Sequence, residues 1–474
     1  MDQLGHVADS LHELEASARR LEEKLNAEIM HQGLASLPDE VFLRIITHAR
    51  DEDFRYLSNL DILDMAAVCR RFRDTIFTHA PFWASICNLL DTRAIVTALA
   101  RSKNAPLTVS IYHRESGTAA STKFLDFMWE HRHRLSTVDV SFQELGGRYG
   151  NWQSIRDVLS KLARMDFPAM GEFRMDSPPF FAAVHVQEVN GPLEKDHDLY
   201  HVYTKWSAPS LAYLSLENIV PQESTRLHLT SLELYFENDL LCPVDDPLAK
   251  LMSFIKSQSS LERLSISIAI LPVEDDFRLD QPIHLPNLRS LSVSARDEGY
   301  CDDAEIFFAH KIVHSLLIPA VEDMKLQFSI KDDQFTMESI FPQDRQYPRA
   351  ERLSFCLRHV GYFSHRLSPF KSIFAKFPKL KYLNMVVFDS QVDGEVPSIS
   401  AHPPPPLKVF HIEKAVEFHL GALKKVFDHL SCGPHWQDFR ELRLCDCPYI
   451  TPSGVASLGI LPMNKIRVIQ HGRL

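Results

Sequence analysis

A short pattern of apolar residues recurs eleven times between residues 135 and 444, and it constrains the fold more than any other feature of the chain. Each copy has apolar residues at positions 1, 4 and 6, and most copies begin 27 to 35 residues after the previous one. A unit this short cannot bury an apolar face alone, so the recurrence predicts units that stack and share one core. The copies are Leu135-Val138-Val140, Met170-Phe173-Met175, Leu211-Leu214-Leu216, Leu229-Leu232-Leu234, Leu261-Leu264-Ile266, Leu288-Leu291-Val293, Val321-Met324-Leu326, Ala350-Leu353-Phe355, Leu380-Leu383-Met385, Leu407-Phe410-Ile412 and Phe439-Leu442-Leu444.

The last copy extends the pattern and connects it to a repeat family. It reads Phe439-Arg-Glu-Leu442-Arg-Leu444-Cys-Asp-Cys447 and continues to Val455. The series resembles the leucine-rich repeat, and this copy is similar to its cysteine-containing subtype. The resemblance implies an α/β fold in which each unit starts with a strand and returns through a helix or an irregular arm. It implies a horseshoe solenoid over residues 104–474.

The segments between copies divide into helical and loop patterns. Helical apolar spacing predicts the returning arm at Leu248–Ser257, Glu305–Leu317 and Ala415–Leu430. Other stretches are too polar or too rich in proline for a core and are predicted to be surface loops, namely those around Pro178, Glu217–Arg226, Lys331–Pro348 and Asp389–Pro406. Within the last of these, His402–Pro406 is either a polyproline ligand or, as we favour, a stiff spacer.

Residues 34–86 hold three short helical patterns before the repeats begin. Pro38 suits a first helical turn, where its missing N–H has no helical partner. A second pattern starts after Ser58 or Asn59 and is predicted to run through Cys69 to Phe77, and Pro81 marks a further start. So small a unit has too little interior to bury all these apolar side chains, so something else must cover them.

The order Leu-Pro-x-Glu-Val, then Ala-x-Val-Cys-Arg-x-Phe-Arg, then Pro-Phe-Trp resembles the F-box over Leu34–Ile86. The F-box is an all-helical module that docks on the Skp-type adaptor of cullin–RING ubiquitin ligases. Phe72 stands where the family often has tryptophan, and the connection between the first two helices is longer and more charged than is common. A local helical cap on the next domain is the alternative. The resemblance implies that the adaptor-binding residues are Leu37, Pro38, Val41, Ile45, Val68, Cys69, Phe72 and Trp83.

Residues 1–32 form a separate amphipathic pattern. Leu4, Val7, Leu11, Leu14, Ala18, Leu21 and Leu25 alternate at spacings of three and four, which is typical of a coiled-coil seam of about three heptads. Such a helix could pair with a second copy, giving self-association, or lie on the body of the protein. We favour the second arrangement because Ala18 weakens the seam.

Charge and composition exclude several classes of function. The net charge of −11 gives no electrostatic footprint for nucleic acid. No apolar run is long enough for a membrane span, and acidic residues near the N-terminus argue against a secretory signal. Eight cysteines in 474 residues favour reduced thiols, and therefore a cytoplasmic or nuclear location.

An enzymatic function lacks support in the sequence. There is no nucleophile elbow, zinc-protease motif or phosphate-binding loop, so we expect no catalytic residues and no cofactor. The best metal candidate is the set Cys432, His435, Cys445 and Cys447. Because Cys447 falls on a repeat position and His435 follows a proline in a loop, we expect no metal site there.

The repeats instead offer a recognition surface. With positions 4 and 6 buried, positions 3 and 5 point to the opposite face of each strand, where both charge signs and tyrosines occur. Arginine and aromatic anchors commonly carry the energy of protein interfaces, so this face is either a target-binding surface or a solvated sheet face. The candidate target-binding residues are Tyr235, Arg263, Lys325, Arg352, Tyr382 and Arg443.

The two resemblances together imply a substrate-recognition subunit of a Skp–cullin–F-box ubiquitin ligase, most similar in style to fungal F-box proteins. The F-box would bind the Skp-type adaptor and through it a cullin, while the repeats bind a protein target for ubiquitin-dependent degradation. Catalysis would belong to the partners. The alternatives are an F-box scaffold that promotes no degradation and a receptor of the same architecture gated by a small molecule.

Overall fold

The computed structural model describes residues 16–25, 33, 37–51, 58–113, 118–142, 152–176, 208–221, 227–236, 247–268, 282–295, 308–330, 337–341, 345–359, 365–388, 390–415, 418–459 and 461–469. The chain divides into two compact units, residues 1–110 and 111–474. The predicted repeat domain began at residue 104, and the predicted bounds of the domains stay predictions.

The first unit is mainly helical. Besides the N-terminal helix at residues 16–25, its described helices are α1 Asp39–Asp51, α2 Ser58–Val68, α3 Arg70–Thr78 and α4 Thr92–Ser102, with a 3-10 turn at Ala80–Trp83. Helix α1 starts directly after Pro38, as predicted, with Asp39 and Glu40 at the positive end of its dipole. Two strands follow the aromatic turn: β1 Ser85–Cys87 pairs in parallel with β2 Leu107–His113, and the boundary between the units lies within β2.

One helix boundary differs from the prediction. The expected continuous helix through Cys69 is broken there, because Cys69 is extended, with φ −159°, and separates α2 from α3. Its carbonyl accepts the first helical hydrogen bond of α3, from Arg73 N at 3.1 Å. Apolar spacing runs through this point unchanged, so a break of one residue leaves no signal in the periodicity.

The N-terminal helix is described only over residues 16–25. Both of its seam leucines in this range are open to solvent, Leu21 at 67% and Leu25 at 59% exposed. Over these residues the leucine seam is uncovered, and the favoured arrangement on the body of the protein stays a prediction. The remainder of the seam falls outside the described residues, and self-association stays a prediction.

The second unit contains a large parallel sheet. From β3 onward its described strands are β3 Leu135–Phe142, β4 Glu172–Asp176, β5 Tyr213–Glu217, β6 Ser231–Phe236, β7 Arg263–Ile268, β9 Ser290–Ala295, β11 Asp323–Ile330, β12 Arg352–His359, β14 Tyr382–Phe388, β16 Val409–Glu413, β17 Glu441–Cys445 and β18 Ile466–Ile469. Each of these strands pairs with the next one along the chain. Two short parallel pairs lie outside this sheet and join β8 Ile283–His284 to β10 Leu316–Leu317 and β13 His365–Leu367 to β15 Ser390–Val392.

All eleven predicted copies form strands of this sheet, and their register is the same throughout. Position 4 of one copy pairs with position 4 of the next, from Val138 and Phe173 at one end to Phe410 and Leu442 at the other. The residues at positions 1, 4 and 6 of every copy are at most 3% exposed. The apolar pattern therefore builds one continuous core, as predicted, in a mixed α/β unit.

Helices cover the buried side of the sheet in several of the repeats. Each of the three predicted helical segments contains a helix, namely α7 Pro247–Ser257, α8 Phe308–Ser315 and α11 Leu420–Ser431. The predicted bounds differ in two of them, because Leu316–Leu317 form a strand and α11 starts after His419. Others were not predicted, namely α5 Thr118–Glu130, α6 Trp152–Leu162, α9 Met337–Ile340, α10 Pro369–Lys376 and α12 Pro452–Ser457.

The predicted loops need three corrections. In the described part of the expected surface loop Glu217–Arg226, Ile219 and Val220 are buried, at 4% and 3% exposure. Helix α9 lies within the expected loop Lys331–Pro348. The expected surface loop Asp389–Pro406 contains β15 and buries Val392, Gly394 and Pro397, and the spacer prolines Pro404 and Pro405 are buried too. The stretch around Pro178 lies outside the described residues.

Helix α11 carries a buried histidine that makes stability depend on pH. His429 is 4% exposed, and its ring stacks on Phe374 at 5.7 Å between centroids. Burial lowers the pKa of His429, because the charged ring loses its hydration. The unfolded chain then binds the proton more tightly, so the free energy of unfolding falls as the pH drops below about 6.5, the ordinary pKa of histidine.

We expect urea midpoints measured at about pH 7.5 and about pH 5.5 to differ less for His429→Phe than for the unchanged protein, since phenylalanine keeps the stack without titrating. An equal pH dependence in both proteins would contradict this assignment.

Candidate interaction surfaces

Helix α1 has apolar side chains on two sides. Phe42 and Ile46 are buried at 0% and 2% exposure, whereas Val41 and Ile45 are 43% and 45% exposed. The exposed pair is four residues apart and therefore lies on one side of the helix. Of the two residues that precede α1, Leu37 is half-buried and Pro38 is exposed. The predicted adaptor-binding residues of this segment are thus largely accessible.

Helix α2 repeats this arrangement. Leu63 and Val68 are 49% and 58% exposed, while Ala66 is buried. The helical spacing of this segment places Leu63, Ala67 and Val68 on one apolar side, and all three side chains are exposed. Val68 was a predicted contact residue, but Leu63 was not one although it belongs to the same pattern.

The buried side of α1 packs on α3. The rings of Phe42 and Phe72 meet edge to face at 4.8 Å between centroids. Arg71 Nη2 donates to Leu37 O and to Asp39 Oδ1, both at 2.6 Å, and its guanidinium lies 4.6 Å from the centre of the Phe42 ring. The Arg71 contacts hold the start of α1 in place. The ring contact with Phe42 places Phe72 inside the module, where Phe72 stabilises the packing of α3 on α1.

Trp83 also belongs to the interior. It is 5% exposed, and its indole Nε1 donates to Ile76 O at 2.9 Å. The guanidinium of Arg101, on α4, lies 4.5 Å from the centre of the Trp83 ring and 4.1 Å from that of Phe77. Trp83 therefore packs in the core of the first unit, and its predicted contact with the adaptor stays a prediction. Sequence reasoning missed Arg101, because nothing in the pattern of α4 connects it with an aromatic side chain 18 residues earlier.

Cys69, the remaining predicted contact residue, is half-buried where α2 ends. The described cysteines Cys69, Cys87, Cys356, Cys432, Cys445 and Cys447 are free thiols.

In the second unit, the face opposite the buried row carries the predicted target-binding residues. Register places Arg263, Arg352 and Tyr382 in one row, Lys325 and Arg443 in the next, and Tyr235 in a third. Tyr235 is half-buried and the other five are exposed. Among these six, the guanidinium of Arg352 lies 5.9 Å from the ring centre of Tyr382. The six therefore spread across the sheet rather than meeting at one point.

A polar network occupies this face near β4 to β6. Glu233 Oε2 accepts from the hydroxyls of Tyr213 and Tyr235, at 2.7 and 3.2 Å. The guanidinium of Arg174 lies 5.2 Å from the ring centre of Tyr213 and pairs with Glu172. Burial, followed by the neighbouring Glu233 carboxylate, raises the pKa of both tyrosines, so they remain neutral donors.

The Cys/His set considered as a metal site does not converge. Cys447 is buried against backbone carbonyls, Cys432 donates to Asp428 O at 3.2 Å, and His435 lies 3.6 Å from Asp438. Cys445 contacts His411 instead, with 3.4 Å between Sγ and Nε2. Across the described ranges no three histidine, cysteine or acidic side chains are grouped to hold a metal ion.

These features define a protein with a helical module, open on an apolar side, followed by a mixed α/β unit with a large parallel sheet. Residues 34–89 match the family model described as F-box-like. F-box domains typically bind Skp-type adaptors, and F-box proteins are generally adaptors rather than enzymes; the match is consistent with such a role in a ubiquitin ligase. No curated protein matches the chain. None of the described helices has the length and apolarity required to cross a membrane.

Proposed function

We propose that this chain is the substrate-recognition subunit of a Skp–cullin–F-box ubiquitin ligase. The observation that carries the proposal is the F-box-like segment at residues 34–89, whose helices leave Val41, Ile45, Leu63 and Val68 open. A soluble domain rarely leaves several large aliphatic side chains on two helices uncovered without a partner for them. The Skp-type adaptor is the partner that the family match favours, and it brings the cullin with it.

The second unit supplies the other half of the proposed function. We assign its repeats to the leucine-rich type, supported by eleven copies that share one register and one set of buried positions. Its polar sheet face binds a protein target and brings the lysines of that target near the ubiquitin-loaded enzyme. The chain itself raises the local concentration of the target beside the ubiquitin-loaded enzyme and performs no chemistry. The ubiquitinated target is then degraded. We place this activity in the cytoplasm or nucleus, in keeping with the free thiols of the described cysteines.

The proposal is tested by replacing the open side of α1. We expect Val41→Asp/Ile45→Asp to abolish co-purification with a Skp-type adaptor, because two carboxylates would have to lose their water inside an apolar interface. A single interface hot spot is worth about 2 kcal/mol or more, which is about 30-fold in Kd, so loss at both positions is readily detected.

The matched control is Val96→Asp on α4. Val96 is 51% exposed, lies in the same unit and falls outside the matched segment. Adaptor binding should survive this change. Failure of the unchanged chain to bind the adaptor, or equal loss in the control, would leave residues 34–86 as a helical cap on the next domain. With the adaptor bound, ubiquitination of a captured target in a reconstituted ligase separates a degradation receptor from a scaffold.

A further inference from the structure

A charged cavity of about 280 Å³ lies where strands β7, β9, β11 and β12 begin. Its lining includes Arg263, Asp323 and Arg352 at position 3 of their copies and Glu262, Arg289 and Glu322 at the preceding position. Only Arg263 and Arg352 were among the predicted target-binding residues. The predicted surface comprised positions 3 and 5 of each copy and so left out the residue just before each strand.

Register explains why these groups meet. Arg263, Ser290, Asp323 and Arg352 are successive partners across four parallel strands, which are about 4.8 Å apart. The preceding residues are fixed by the backbone as well: Glu262 O accepts from Arg289 N at 2.8 Å, and Arg289 O accepts from Glu322 N at 2.8 Å. Side chains that are separated by about 30 residues in sequence are thus held around one opening.

The charges around this opening are poorly neutralised by one another. Among the described residues, Glu262, Arg263, Arg289 and Glu322 form no ion pair, and the one hydrogen bond of the Arg263 side chain is a 3.4 Å contact with Ser231 Oγ. Arg352 and Asp323 are 3.4 Å apart, with side chains 63% and 44% exposed, a geometry worth little in water. Two cations and two anions therefore remain available to a partner.

The composition of the lining decides the class of partner. Small-molecule sites are mainly apolar and enclose their ligand within about 300–1,000 Å³, whereas this cavity is open to solvent, charged and slightly smaller than that range. The carboxylates of Glu262, Glu322 and Asp323 equal the three guanidinium groups of the lining in number. Glu351 is paired with Lys381 at 2.5 Å, so a phosphate or polyanion meets no net positive charge here. A ligand that carries both signs at short spacing satisfies both sets of groups.

Resting on the proposed function, we infer that this opening receives an extended segment of the target in which acidic and basic side chains alternate closely. The acidic side chains of the segment pair with Arg263 and Arg289, and its basic side chains pair with Glu262 and Glu322. The planar guanidinium fork suits a carboxylate and fixes the register of the segment.

The test uses the full chain and a fluorescent peptide of alternating glutamate and lysine, about ten residues long. Binding is followed by fluorescence anisotropy beside all-glutamate and all-lysine peptides of equal length. We expect Arg263→Gln/Arg289→Gln to weaken binding of the alternating peptide about tenfold. Binding of the all-lysine peptide should be unchanged or tighter, because lysine side chains gain nothing from the arginines. Both arginines are exposed, so the variant should fold.

The matched control is Lys424→Gln/Lys425→Gln, which removes two exposed cations from α11, outside the cavity. It should change affinity by less than about twofold, since distant surface charges are screened. An equal loss of affinity in the control variant would show that the change follows the net charge of the protein rather than this cavity. If the unchanged protein binds the all-glutamate peptide more tightly than the alternating peptide, the cavity is an anion site. If free lysine or glutamate competes with the alternating peptide, the ligand is a small zwitterion. Each result would overturn the inference.

Adaptor co-purification of the same variants separates this inference from the proposed function. If the alternating peptide fails to bind while the adaptor still co-purifies, the inference fails and the proposed function stands. If the adaptor fails to co-purify with the unchanged chain, the proposed function fails, whatever the peptide does.

Discussion

Replacing Phe355 by alanine is expected to lower the free energy of unfolding of the second unit by about 3–5 kcal/mol. Phe355 occupies position 6 of its copy, is 1% exposed and pairs in register with Leu326 and Met385. Its ring lies 6.5 Å from that of Phe328 and 6.4 Å from that of Phe341, between centroids. Truncation removes contacts with the strand on each side and leaves a cavity that the sheet backbone cannot close.

Arg358→Ala on the same strand is the control. Arg358 is exposed and has the opposite parity to Phe355, so its side chain leaves the strand on the polar face. Its removal should change stability by no more than about 0.5 kcal/mol. Chemical denaturation followed by far-UV circular dichroism compares the two. Similar midpoints for both variants would be incompatible with the alternation that places one residue in the core and the other in water.

Gly394→Ala is expected to destabilise the second unit by about 1–3 kcal/mol through overpacking. A Cβ atom at Gly394 would lie 2.6 Å from the Cα of Ala422 and closer still to its carbonyl oxygen. Those atoms belong to the backbone of α11 and cannot rotate away, so either the helix or the segment after β15 must move. The glycine is required by close approach, since its own φ is not in the left-handed region.

Gly421→Ala is the control, and it is expected to have the opposite effect on stability. Gly421 directly precedes Ala422, the residue that Gly394 approaches. Gly421 lies in the first turn of α11 with no atom within 4 Å of its would-be Cβ, so alanine should be neutral or stabilising by up to about 1 kcal/mol. Thermal unfolding of the two variants gives the comparison. If both changes shift the midpoint in the same direction and by the same amount, the close approach of Gly394 to α11 is wrong.

The strands of the second unit were predictable because each copy repeats the same requirement. Positions 1, 4 and 6 must be apolar in every unit, so even degenerate copies such as Ala350-Leu353-Phe355 are recognisable from their neighbours. The connecting segments follow no common rule. Helix α10 did carry a usable signal, with Phe370, Ile373 and Phe374 buried at helical spacing, whereas two-residue strands such as β8 are too short to show any period.

The surfaces were less predictable because they depend on residues distant in sequence. The open side of α1 followed from the excess of apolar residues over available interior, but the core role of Trp83 required Arg101 from another helix. Likewise, Arg289 acquires significance only beside Arg263 and Glu322, which register brings to neighbouring strands. Patterns in a single sequence report local periodicity and carry no information on contacts between residues that are distant in the chain.

The order of the strands has a consequence for how the protein is made. Because each strand of the large sheet from β3 to β18 pairs with the previous strand of that sheet, each repeat can dock as soon as it leaves the ribosome, using a template that already exists. Contacts that close over short sequence distances form quickly, even in a chain of 474 residues. Synthesis from the N-terminus would then extend the sheet one strand at a time, with only the newest edge unprotected. A nascent chain stalled late in translation should already contain folded early repeats.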